Sequence, residues 1–129
     1  MPRTYIPGTW ETNRSYSPAV VTTGGRMAFL AGVGHTVDEH GATIRDFAGQ
    51  VHATFLEIAR IMDRFGGSLA DVTTMTVYVA DPRYGNEFVE LRKQYFPDGY
   101  PASTLITVAG FARPEMLLEV TCTAVLDDE

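Results

Sequence analysis

Within the strand-like stretch MLLEVTCTAV, residues 116–125, a single acid, Glu119, sits among apolar side chains. A charge in such company is costly unless it is solvated, paired or used. As an outward-facing strand residue, or one paired with a neighbouring subunit's cation, Glu119 has no chemical task. As a carboxylate at a cleft edge it orients or deprotonates a water, and partial desolvation favours such a base. The three histidines raise a metal reading: His35 and His40 share a loop, whereas His52 falls on a helix, and no HxxH, HExxH or Cys/His ligand spacing accompanies them. A solvent-exposed loop is the simpler reading of His35, although it follows AGVG at a place where a segment leaving a sheet often edges a pocket. Ser17, Ser68 and Ser103 lack the GxSxG or SxxK setting of a nucleophile and read as turn or strand serines. The glycines of LAGVGHTVDEHG do not form GxGxxG at a helix start, which argues against a dinucleotide site. Cys122, the only cysteine, lies in an apolar strand pattern and reads as a buried structural thiol.

These residues need elements to hold them. AVVTT (19–23) and RMAFLA (26–31) flank Gly24 and Gly25 and predict a β-hairpin. A glycine-bearing loop follows. From Phe47 the apolar residues recur at Val51, Phe55, Ile58, Met62 and Phe65, which marks one face of a long helix stopped by FGGS. Residues 71–81 (DVTTMTVYVAD) read as a strand, and residues 85–96 (GNEFVELRKQYF) as a helix with Phe88, Leu91 and Tyr95 on one face. STLITVA and MLLEVTCTAV complete a ββαβαββ order. The fold class is α+β: a mostly antiparallel sheet with two helices on one face and a right-handed βαβ crossover. Val77, Val79, Leu105 and Val108 suggest apolar residues on both sheet faces, and hence burial of the uncovered face against another subunit.

The 129 residues suit one domain spanning 1–129. No apolar run approaches the roughly 18 residues of a membrane span, and no signal-peptide pattern opens the chain, so a cytoplasmic, membrane-free protein is expected. The net charge of −6, with Lys and Arg scattered, argues against nucleic acid as a partner. The final LDDE reads as a solvated end.

Taken together, SYSPAV, FLAG, GGSLADVTTMTVYVAD, YGNEF, YPAS and LLEV, in that order along nearly the whole chain, resemble the YjgF/RidA family of reactive-intermediate deaminases, also called L-PSP proteins. The resemblance implies a chorismate-mutase-like fold assembled as a homotrimer, with clefts between subunits. It further implies hydrolysis of small enamines and imines, such as 2-aminoacrylate, to a keto acid and ammonia, with neither cofactor nor metal. Carried over by position, it assigns Tyr16, Gly32 and Asn86 to substrate binding and Glu119 to the water. Backbone groups near Ser103, Thr104 and Gly32 would then hold the polar end of the substrate.

The chain departs from the pattern at one point. Where RidA-like members carry an arginine in PARS or PART, PAST places Ser103, and Leu105 replaces a pocket cysteine found in some members. A hydroxyl cannot reproduce the bidentate grip of a guanidinium on a carboxylate. Either Arg14 or Arg113 supplies another clamp, or the substrate is a neutral or larger imine, enamine or amide-like molecule held in a pocket made more apolar by Leu105, Phe29 and Phe111; the second is preferred. A trimeric metabolite-binding protein without turnover is the alternative. An endoribonuclease fits poorly with the acidic charge and the lack of a histidine pair.

Overall fold

The computed structural model describes residues 3–128. Strand β1 (Arg3–Tyr5) and a single helical turn, α1 (Trp10–Asn13), precede β2 (Val20–Thr22) and β3 (Arg26–Phe29). Helix α2 (Phe47–Asp63), β4 (Val72–Val79), α3 (Tyr84–Arg92), β5 (Ala102–Thr107) and β6 (Leu118–Leu126) follow. The main sheet has the order β3-β6-β4-β5, with β6 antiparallel to both neighbours and β4 parallel to β5 across the α3 crossover. The expected α+β, mostly antiparallel arrangement is thus present. No helix among the described residues is long and apolar enough to cross a membrane.

The expected hairpin is not. Gly24 and Gly25 do reverse the chain, with φ of +71° and +84°, a region glycine enters without a Cβ penalty. However, β2 pairs with β1 and β3 with β6. Residues 3–5, too short to declare themselves by alternation, take the edge of β2, while the longer β6 offers β3 a four-residue ladder.

Helix α2 starts at Asp46, whose side chain accepts from Gly49 N at 2.8 Å, supplying an N-cap bond to an otherwise orphan donor. It ends where Gly66, at φ +85°, lets Gly67 N return to Met62 O. Its buried face carries Phe47, Val51, Phe55, Ile58 and Met62, as its spacing requires, and also Gln50 and Thr54. Gln50 is fully buried and satisfied: Nε2 donates to Ile44 O and Glu115 O, and Oε1 accepts from Leu117 N. This amide ties the helix to the entry of β6, two residues before Glu119.

Along β6, Leu118, Val120, Cys122 and Ala124 face the helices, and Glu119, Thr121 and Thr123 face away. Val77 and Val79 share the helix-covered side, and Leu105, opposite Val77, packs against the same core. By period-two alternation and this register Val77, Val79 and Leu105 all share one face, and of the four residues expected to populate both faces only Val108, beside Glu119 and Tyr78, lies on the other. The open face instead displays Met27 (61% exposed), Phe29 (74%) and Ile106 (42%).

Candidate functional site

Two hollows hold the polar residues of interest, on different sides of the sheet. The first, of about 230 Å³, is lined by Arg14, Tyr16, Val89, Arg92, Ser103 and Leu105. Ser103 and Leu105 enter it from β5, opposite Met75 and Val77 of β4. Arg92 enters as the last residue of α3. Arg14 and Tyr16 come from the segment after α1, which is fixed at both sides. Ser17 N bonds Pro101 O and Ser17 Oγ donates to Tyr100 O at 2.7 Å, stitching the segment to the start of β5. Ser15, at φ +60°, is fully buried. A non-glycine residue there is strained, and its hydroxyl compensates by donating to Val89 O at 2.7 Å and accepting from Arg92 Nε at 3.0 Å. Trp10 meets the Tyr16 ring edge-on at 5.9 Å.

Arg92 is the unusual group. Its side chain is 1% exposed, yet among the described residues no carboxylate forms an ion pair with it. Its donors go to neutral acceptors: Ser15 Oγ, Ser103 Oγ at 2.6 Å, Arg14 O at 3.2 Å and Met75 Sδ at 3.6 Å. The guanidinium also lies 5.0 Å from the Phe88 ring centroid. Burial, reinforced by the neighbouring Arg14 cation, pushes its pKa down to about 10, which still leaves it charged at neutral pH. Arg14 is half-buried and bonds through Nη1 to Asn86 Oδ1 at 3.1 Å.

The second hollow, of about 390 Å³, is lined by Tyr78, Val108, Gly110, Phe111, Ala112, Glu119 and Thr121. Glu119 stands opposite Tyr78 in the β4–β6 ladder. It is half-buried and, among the described residues, makes no hydrogen bond or ion pair. Gly32 packs against it: a Cβ at Gly32 would fall within contact of Glu119 Oε2 and 3.0 Å from its Cδ. The carboxylate occupies the space a side chain would fill.

One chain therefore brings Tyr16, Ser103 and Leu105 together with Arg14 and Arg92, and Glu119 together with Gly32, but does not join the two groups. Asn86 is exposed and reaches the first hollow through Arg14. Thr104 projects onto the open face beside Thr76. Arg113 lines neither hollow; it donates to Gly34 O at 3.3 Å and approaches Glu115 Oε2 at 3.5 Å. Phe29 and Leu105, expected to share a pocket with Phe111, are apart: Leu105 lines the first hollow, Phe111 the second, and Phe29 lies on the open face. The histidines form no metal set, for among the described residues no three His, Cys, Asp or Glu side chains are grouped to hold an ion. Arg92 escaped the sequence reading because ELRK looks like a solvated helix face. Its spacing of four from Phe88 was the available signal, since it puts both on one face.

The family model described as Endoribonuclease L-PSP matches residues 9–126. Among solved structures, a Rid-family protein of unknown function from Yersinia pestis is 25% identical, with a TM-score of 0.84 over 98% of this chain and 100% of its own. A YjgF/YER057c/UK114-family member from Mycobacterium tuberculosis is 26% identical, with a TM-score of 0.69 over 97% and 100%. A YjgF-family protein from Neisseria meningitidis is 28% identical, with a TM-score of 0.69 over 100% and 98%. With its β3-β6-β4-β5 sheet, helices α2 and α3 and a sequence match across nearly its whole length, the chain belongs to the L-PSP family, the YjgF/RidA proteins.

Proposed function

We propose that the protein is a cofactor-independent hydrolytic deaminase of a small enamine or imine. The observation that carries this reading is Glu119, a half-buried carboxylate with no protein partner, seated over Gly32 and facing a hollow large enough for a metabolite. A purely structural acid on a strand would be expected to find a cation or a donor. A carboxylate left free to bind water is suited to general-base work.

The steps follow from the balance of the reaction. An enamine first takes a proton on carbon and loses one from nitrogen to give the imine. Glu119 then accepts a proton from water as the oxygen bonds to the imine carbon, and passes that proton to the nitrogen as the C=N pair moves there. Deprotonated again, Glu119 takes the hydroxyl proton of the carbinolamine and delivers it to the amino nitrogen, so that C=O re-forms and the nitrogen leaves as ammonia.

In this reading the complete cleft is formed between copies of the chain, with the Arg14–Tyr16–Ser103 hollow of one facing the Glu119 hollow of another. Support comes from the separation of the two groups within a chain and from the uncovered Met27, Phe29 and Ile106. Burying each of these side chains is worth roughly 1.5–3 kcal/mol. A homotrimer is the proposed assembly. The test is ammonia release from freshly generated 2-aminoacrylate: Glu119→Gln should lower turnover by about 10²–10⁴ with its assembly unchanged by light scattering. Full activity in that variant would remove Glu119 from the mechanism.

A further inference from the structure

The first hollow contains two guanidinium groups and no carboxylate to balance them. A buried cation without an ion pair is tolerated when something else compensates it, and here the protein's own compensation is limited to hydroxyl, carbonyl, thioether and ring contacts. Arg14 uses one donor on Asn86, and its other N–H groups have no acceptor among the described residues. Ser103 adds a further donor. Its oxygen accepts from Arg92, and, among the described residues, nothing accepts the hydroxyl hydrogen. Ser15 makes the contrast: its hydroxyl also accepts from Arg92 but donates to Val89 O. The Ser103 hydroxyl is thus a donor left for the hollow, with a buried positive charge directly behind it. Hydrogen bonds of this kind strengthen when a cation polarises the donor.

We propose that Arg14 and Ser103, with Arg92 acting through Ser103 as a positioning residue, clamp a carboxylate of the substrate. This rests on the deaminase reading for the identity of the bound molecule, which becomes a small 2-imino or 2-enamino acid in place of a neutral imine. The clamp reaches the carboxylate from the segment after α1, through Arg14, and from β5, through the Ser103 hydroxyl, while its second positive charge stands behind that hydroxyl on α3. Leu105 and Val89 supply the apolar wall for a short aliphatic side chain. Arg113, held at Gly34 and Glu115, takes no part.

The test separates binding from chemistry. Calorimetric titration with pyruvate, a keto acid with the charge and size of a hydrolysis product, is compared with methyl pyruvate, which keeps the shape without the charge. Wild-type protein should bind pyruvate saturably and the ester at least about tenfold more weakly. Arg14→Gln and Ser103→Ala should each weaken pyruvate by about tenfold to a hundredfold, the range for a hydrogen bond to a charged group. Arg92→Lys, which keeps the charge but cannot reproduce the fork, should weaken it in the wild-type background and add little on top of Ser103→Ala, because it acts through that hydroxyl. Absence of saturable pyruvate binding by the wild type would overturn the proposal. So would equal affinity for the ester, or unchanged affinity in folded Arg14→Gln and Ser103→Ala proteins. Ammonia release is measured beside it. Pyruvate binding without turnover of 2-aminoacrylate would keep the clamp and reject the deaminase, whereas turnover with an unchanged KM in both variants would do the reverse.

Discussion

Replacing Gly32 and Gly34 with alanine, one at a time, separates a residue spaced for chemistry from one spaced for packing. A Cβ on Gly32 meets only Glu119: it falls within contact of Oε2, 3.0 Å from Cδ and 3.3 Å from Cγ. These are the outer atoms of a flexible side chain, so the carboxylate swings aside and the backbone stays. Gly32 does not occupy the left-handed region, and the lower entropy of an unfolded chain with alanine offsets the new contact by about 0.4–1 kcal/mol. Stability should therefore change by less than about 1 kcal/mol. The carboxylate, however, moves by about an ångström or more, and a misplacement of that size costs roughly 10²-fold in rate. At Gly34 the new Cβ would lie 2.8 Å from the Leu118 carbonyl oxygen, a backbone atom of the central strand, as well as against Met116 Cε. Overpacking there should cost about 1–3 kcal/mol, or roughly 3–10 °C in Tm for a chain of this size. Calorimetry and ammonia release on the two variants form the assay. A Gly32→Ala protein that turns over like wild type, or that melts as early as Gly34→Ala, would refute the role given to the Gly32–Glu119 contact.

The remaining perturbations address the open face, the core and the clamp. Phe29→Glu, at a side chain 74% exposed in the single chain, should convert the assembly to monomer by light scattering and abolish ammonia release; an unaltered assembly and rate would mean that the open face is solvent in the working protein. Burial pushes the Cys122 thiol up to about 12. Above the ordinary thiol pKa of about 8.5, the unfolded chain releases a proton that the folded one retains, so stability falls as pH rises. Between pH 8 and 10 the wild type should lose about 2 kcal/mol more than Cys122→Ala in denaturant titrations, and parallel pH profiles would count against it. Ser103→Arg should destabilise the protein by about 2–4 kcal/mol, with Arg92→Met relieving most of the loss in the double variant; a Ser103→Arg protein as stable as wild type would show that the hollow accepts a third guanidinium.

The fold was legible wherever a period was long enough to read. The α2 stripe from Phe47 to Met62 and the alternation of β6 around Glu119 declared their buried faces because each repeats over several turns or residues. The β2–β3 pairing was not legible, since a glycine turn permits a hairpin without requiring one, and the competing strand Arg3–Tyr5 is three residues long. At the site, Glu119 stood out as the one acid in an apolar strand pattern, Ser103 was marked by resemblance, and Gly32 gained a physical reason only when its contact with Glu119 could be seen. Arg92 was missed for a different reason. A charged residue beside Lys93 reads as solvated, and what buries it is the arrival of Ser15 and Met75 from distant parts of the chain, which no local pattern encodes.

That burial also explains why position 103 carries a short side chain. Ser103 Oγ and Arg92 Nη1 are 2.6 Å apart, with Met75 Sδ 3.6 Å from the same nitrogen, so the volume a longer residue on β5 would need is already taken by the end of α3. Charge sets the same limit. Two guanidiniums 4 Å apart repel by about 4 kcal/mol at an effective dielectric constant of 20, and Arg14 already depresses the pKa of Arg92 without any carboxylate among the described residues to offset it. A third cation from β5 would have no counter-charge. A hydroxyl, by contrast, accepts from Arg92 and remains able to donate, passing the positive field of a buried residue to the surface of the hollow. On this geometry the serine is the partner that a helix-borne arginine requires: Arg92 brings the positive charge from α3, and Ser103, on β5, is the donor that the proposed clamp presents to an anion.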